Sequence, residues 1–192
     1  MRPVLFNNRV LKMKKIQTTS RMLSRLFLAL CWIIPLGTAY LVLFHLKECL
    51  DWGLFSLMLP SEQVQHIETF SPAHRLLILA IQFLPISITV FICASLARLF
   101  KLYEYGRLFE EDNIKLVRRI SIYMLSGELL HLVYQPLMTV ALTFNNPPGE
   151  RMASISLGST NVATLITALI ILVASWIFKE ANQLNKEAQL TI

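Results

Sequence analysis

Glu128, His131 and Gln135 recur at i, i+3 and i+7 within one apolar stretch, a spacing that sets a carboxylate, an imidazole and an amide on one stripe of a helix. A carboxylate and an imidazole one turn apart can share a proton and titrate near neutral pH, which is the chemistry of a proton-coupled switch or transporter. Equally, both can be neutral hydrogen-bonded groups that fix how helices pack. Counted at about 1.5 Å per residue from residue 120, Glu128 lies about 12 Å deep, His131 about 17 Å and Gln135 about 22 Å. The same count brings Gln82 and Asn161 to about 21 Å, with Tyr40 alongside, so that four stretches offer polar groups to one layer. Such groups serve as interhelical glue of about 0.6 kcal/mol per pair, or as the lining of a polar path. Pro35, Pro85 and Pro136 free the carbonyls of Cys31, Ile81 and Leu132, which in a polar interior can bind a cation, water or a ligand.

Other chemistries lack their residues. Glu128 and His131 have the spacing used in di-metal carboxylate bundles, but those need the motif twice with two further Glu, and no other apolar stretch holds an acid. A bis-histidine haem needs a second imidazole at matching depth; His45 lies at the edge of its stretch, and His66 and His74 fall between stretches. Cys31, Cys49 and Cys93 cannot form a paired framework or an attackable thiol pair. Phosphate-loop, nucleophile-elbow and zinc signatures are missing too. A non-enzymatic protein without a cofactor is expected.

The elements that must position these residues are set by composition. The chain of 192 residues is 55% hydrophobic and 16% charged, against about 45–50% and 25% in soluble domains. Four apolar blocks, 26–46, 76–97, 120–144 and 155–178, each come near the ~20 residues that span a bilayer core. An all-α, polytopic membrane protein follows, a bundle of four transmembrane helices in a single membrane domain. Lys and Arg number seven in 1–25, two in 47–75, six in 98–119, one in 145–154 and two in 179–192. Both termini and the central loop are therefore expected in the cytoplasm, with 47–75 and 145–154 outside. A cleaved signal peptide ending near Ala39 is the rival reading, opposed by the apolar run that continues through Phe44.

Local signals refine this layout. Ser71 and Pro72 form a cap and first-turn pair that starts the second long helix. Gly106 offers the break before the third, which begins with Glu110, Glu111 and Asp112 and carries Arg118 and Arg119 two turns on. The apolar run 50–60 is expected to lie in the membrane interface, anchored by Trp52. Arg9, Lys12, Lys14 and Lys15 alternate with apolar residues, as suits a helix held to anionic lipid headgroups. Direct nucleic-acid binding is not expected, because positive-inside topology accounts for the pI near 9.4. A shift of 76 residues sets Glu104 on Glu180, Leu108 on Leu184, Glu111 on Glu187 and Ile114 on Leu190, a faint two-hairpin echo.

The segment containing Leu99, Phe100, Gly106-Arg107-Leu108-Phe109-Glu110-Glu111-Asp112-Asn113-Ile114 and Arg118-Arg119-Ile120 resembles the bacterial four-span family known as the domain of unknown function numbered 2975. So does the closing segment Ile177-Phe178-Lys179-Glu180-Ala181-Asn182-Gln183-Leu184-Asn185-Lys186-Glu187-Ala188-Gln189-Leu190-Thr191-Ile192. Members show a Gly-x-x-Phe turn before the third helix and a closing Leu-Thr-Ile or Leu-Thr-Val, often with Gly where this chain has Ala181 or Asn182. The resemblance implies a bundle in the bacterial inner membrane, with genes that often neighbour a small helix-turn-helix regulator. It thereby implies a membrane sensor or tether for such a regulator. Docking is expected on Tyr103, Glu104, Tyr105, Gly106, Arg107, Glu110, Glu111 and Asp112 of the central loop and on Leu184 and Glu187 of the last helix. A small-solute or proton-coupled transporter using Glu128 and His131 is the other class, and it calls for a homo-oligomer, since four helices rarely enclose a path alone.

Overall fold

A computed structural model describes residues 3–53, 55, 58–60, 63–64, 70–107, 110–156 and 158–190, without the side chains of 3–13, 159, 185, 186 and 188–190. Among the described residues the fold is all-α: α1 (Pro3–Phe44), α2 (Leu46–Asp51), α3 (Pro72–Glu104), α4 (Glu111–Thr143) and α5 (Ser159–Leu190). Three of these helices, α1, α3 and α5, are long and apolar enough to cross a membrane. In α4, Glu128, His131, Tyr134 and Gln135 dilute the apolar run.

The local signals act as chemistry requires. The Ser71 hydroxyl accepts from the His74 amide at 3.2 Å, and α3 opens on Pro72. Gly106 adopts φ +74 and ends α3, a left-handed conformation that costs any residue with a Cβ. The Glu110 carbonyl accepts from Asn113 and Ile114, so Glu111 and Asp112 occupy the first turn of α4, where a helix dipole favours acids. Pro35, Pro85 and Pro136 lie inside α1, α3 and α4.

Two compact units make up the chain. The first comprises Met1–Cys31, Val90–Leu125 and Ile166–Ile192; its core joins Leu99, Leu116 and Ile120 with partly buried Leu96, Tyr103 and Val117. The second comprises Trp32–Thr89 and Ser126–Leu165, and its core gathers Val42, Ile78, Leu79, Tyr134, Met138 and Leu142. Leu46, Cys49, Leu50, Phe55, Leu59, Val64 and Phe70 are buried in that same core. Of the apolar run 50–60, Leu50, Phe55 and Leu59 therefore pack onto their own unit, whereas Trp52 is 69% exposed. His74 stacks on Phe70 and donates from Nε2 to the Ala141 carbonyl at 2.7 Å, pinning the start of α3 to the end of α4.

Outward faces are strongly apolar. Met22, Leu28, Trp32, Ile33 and Leu36 of α1 and Ile166, Ile170, Trp176 and Ile177 of α5 are all more than half exposed. From 120 to 144, the exposed residues of α4 and the residue after it are Ile122, Leu129, Leu132, Val133, Leu137, Val140 and Phe144, every one large and apolar.

One boundary differs from expectation. The fourth apolar block was read from about residue 155, but 152–156 is non-helical and α5 starts at Ser159. At its other end α5 continues as helix to Leu190, without the break that Gly106 gives α3. At the shift of 76 residues Gly106 aligns with Asn182, which lies inside α5.

Candidate functional site

The polar residues expected in one layer all belong to the second unit, where they form four hydrogen-bonded groups. Gln135, 4% exposed, accepts at Oε1 from the Ser156 amide at 2.5 Å and donates from Nε2 to the Ser156 carbonyl at 2.9 Å. The backbone partners fix which end of the amide is which. Nε2 therefore also faces His131 Nδ1, at 3.0 Å, as donor. His131 Nδ1 must accept, which places the ring proton of the neutral imidazole on Nε2. The edge of the His131 ring meets Tyr134 at a centroid distance of 5.4 Å.

Gln135 is the first rung of a ladder that continues along α4. The Thr139 hydroxyl oxygen accepts from the Ser154 amide at 3.1 Å, and the Thr143 hydroxyl oxygen accepts from the Met152 amide at 3.0 Å. Residues four apart on a helix advance about 6.0 Å, and residues two apart on an extended chain advance about 6.6 Å. Residues 152–156 thus run back along α4 with alternate amides matched to successive turns. Thr139 and Thr143 are fully buried, and their hydroxyl protons go to the helix itself, from Thr139 to the Gln135 carbonyl and from Thr143 to the Thr139 carbonyl. The Ser154 hydroxyl extends the ladder to the Met58 carbonyl. The two threonines escaped notice in the sequence because Thr is ordinary in a helix; the Gln-x3-Thr-x3-Thr spacing is the signal that marks them.

Glu128 and His131 do not bond each other. Glu128 accepts at Oε2 from Asn161 Nδ2 at 2.8 Å, and the Asn161 Oδ1 accepts from the Gly158 amide at 3.1 Å. Asn161 thereby closes the first turn of α5 in the manner of a capping box while holding the carboxylate at that helix start. Gln82 accepts from the Tyr134 hydroxyl at 2.5 Å, a partner not singled out in the sequence although Tyr134 is buried at 3% exposure. Tyr40 stands apart from the other layer residues. It is 56% exposed and its hydroxyl meets His45 Nε2 at 3.2 Å.

The docking residues expected around the elbow lie in the first unit. Glu104 accepts from Arg21 of α1 at 2.6 Å, and Glu110 accepts from Arg107 at 2.7 Å. The hydrogen bond and then the charge of Glu110 raise the Arg107 pKa, with a smaller contribution from Asp112. Asn113 donates to the Arg107 carbonyl at 2.6 Å and closes the turn, while its Oδ1 is buried without a partner. Lys115 pairs with Glu111 along α4. Tyr105 and Leu184 are exposed at 66% and 59%, and Asp112 and Glu187 are exposed as well. Lys14 and Lys15 are exposed on α1, whereas the side chains of Arg9 and Lys12 lie outside the described residues.

The three cysteines are free, and burial pushes the Cys49 thiol pKa up, away from a reactive thiolate. Among the described residues no three of His, Cys, Asp and Glu come together as a metal site would require. Residues 57–192 match the model of a family described as a protein of unknown function, DUF2975. No curated protein and no solved structure matches the chain.

Proposed function

Because this chain belongs to the DUF2975 family, whose description names no activity, we propose a function from its own residues: a non-enzymatic, multi-pass protein of the bacterial inner membrane that holds or releases a cytoplasmic partner. It crosses four times, through α1, α3, α4 and α5, with both termini and the elbow 98–119 in the cytoplasm. The fourth crossing is α4, and its all-apolar outward face from Ile122 to Phe144 supports it, a length of about 33 Å at helical rise against a core of about 30 Å. The seven basic residues before residue 26 and six in 98–119 support the orientation. A small helix-turn-helix regulator is the partner that the family resemblance suggests.

The observation that carries binding over transport is where the hydrogen bonds go. Glu128, Gln135 and Gln82 are each committed to a fixed intramolecular partner, Asn161, Ser156 and Tyr134. At the elbow, Tyr105 and Asp112 present an aromatic ring and a charge to the outside. The first group holds the bundle and the second is available for recognition.

Affinity purification from the native host in mild detergent tests the reading. It compares wild type, a Glu110, Glu111 and Asp112 charge reversal, and Glu128→Gln. The expected result is a helix-turn-helix protein recovered with wild type and Glu128→Gln and lost with the reversal. Recovery of no soluble partner with wild type overturns the reading. So does loss of the partner in Glu128→Gln alone, which would favour the intramembrane layer as the working part.

A further inference from the structure

In the first unit, Lys15, Ile16, Thr19 and Leu23 of α1 lie across from Phe100 and Tyr103 of α3, lining an open groove of about 470 Å³. That falls within the range of about 300–1,000 Å³ for small-molecule sites. Its lining is almost wholly apolar, with Lys15 at one end. Counted from the edges of the proposed spans at residues 26 and 97, Leu23 and Phe100 lie about 5 Å outside the hydrocarbon, Tyr103 about 9 Å and Lys15 about 16 Å. The apolar end thus abuts the acyl layer and the ammonium stands at the outer end, beyond the headgroups' inner edge.

Charge complementarity identifies what fits. The first 25 residues hold seven bases and no acid. Glu104, next in sequence to Tyr103, is engaged by Arg21 at 2.6 Å, and no described acid pairs with Lys15. The aromatic wall is itself fixed, since Phe100 stacks on Phe27 at 5.7 Å and meets the Tyr103 ring edge at 6.0 Å. A peptide helix would leave the apolar lining with one end charge unmatched, because its apolar and charged groups divide between faces and not between ends. A lipid divides them between ends.

We propose that this groove binds one anionic phospholipid of the cytoplasmic leaflet, with its phosphate on Lys15 and part of an acyl chain along Leu23 and Phe100. The site rests on the membrane placement of α1 and α3 proposed above and not on the existence of a regulator. The lipid seals the tail of α1 against the end of α3 beside the elbow, so lipid charge becomes a quantity that the elbow can report.

Native mass spectrometry of the full chain in mild detergent tests it, with phosphatidylglycerol and phosphatidylcholine titrated separately. Wild type is expected to retain one phosphatidylglycerol at least five-fold more tightly than phosphatidylcholine. Lys15→Gln is expected to weaken phosphatidylglycerol about five-fold, the effect of one basic residue near an anionic surface, and to leave phosphatidylcholine unchanged. Leu23→Trp, which fills the groove, is expected to weaken both, with thermal unfolding confirming that each variant is folded. Equal retention of the two lipids overturns the proposal, as does undiminished phosphatidylglycerol binding in Lys15→Gln. A second copy of the chain or a bound polypeptide that Leu23→Trp displaces, with no lipid held, also overturns it. Termini mapped outside the cytoplasm would overturn this site and the proposed topology together. Lipid indifference with cytoplasmic termini would overturn the site alone.

Discussion

The Gln135 amide makes three hydrogen bonds, two of them to the backbone N–H and C=O of Ser156. Gln135→Leu removes both of these partners from the Ser156 backbone, and the expected loss is about 1–3 kcal/mol of stability, read as a lowered unfolding temperature in detergent. His131→Leu removes one acceptor and leaves the Ser156 bonds in place, so its cost is expected to stay near 1 kcal/mol. A His131 variant as damaging as the Gln135 variant would contradict the assigned roles. The same geometry predicts an Nε2-protonated neutral ring at His131, visible in its nitrogen chemical shifts; an Nδ1-protonated ring would place two donors face to face. The interior stripe of Glu128, His131 and Gln135 was legible because polar side chains in an apolar helix must turn inward. Their partners were not, since Gln135 reaches 21 residues ahead and Asn161 reaches 33 residues back, and periodicity carries no information about such pairings.

At the scale of elements, the signals that act within one turn transferred intact from sequence to fold. Ser71 and Pro72 open α3, and Gly106 closes it. Gly106→Ala is expected to cost about 1–2 kcal/mol through its positive φ alone, because an added Cβ would meet Gln17 Nε2 at an ordinary 3.5 Å. Gly106→Asn, which tolerates that backbone better, is expected to cost less; chemical unfolding of both variants checks the order. Equal costs would mean that space and not backbone conformation demands the glycine. What local signals could not give was the state of 152–156. The mixed run 152–156 carries no helical period of its own, and its course is set by Gln135, Thr139 and Thr143, which offer partners to its backbone. Thr139→Val is therefore expected to loosen this segment, seen as faster hydrogen exchange at the Ser154 amide with the helical content unchanged.

For the molecule as a whole, hydropathy and burial give different weights to α4. By composition three helices suffice to cross a membrane, and α4 is the exception because its inward face carries the polar residues. By exposure, its outward face from 122 to 144 is as apolar as those of α1 and α5. The apolar blocks of α1, α3, α4 and α5 were legible in the sequence since block length survives a few interior polar residues, whereas the burial of Cys49, Leu50, Phe55, Leu59, Val64 and Phe70 in the second core was hidden by their distance from their partners. The whole account depends on α4 crossing the membrane, because the cytoplasmic elbow, the inward polar stripe and the placement of both termini all follow from it. The direct test replaces Cys31, Cys49 and Cys93, introduces one cysteine at Asp112 or at Pro148, and labels intact cells with a membrane-impermeant thiol reagent before and after permeabilisation. The account predicts labelling of Pro148→Cys in intact cells and of Asp112→Cys only after permeabilisation. Labelling of both positions from the same side would contradict it.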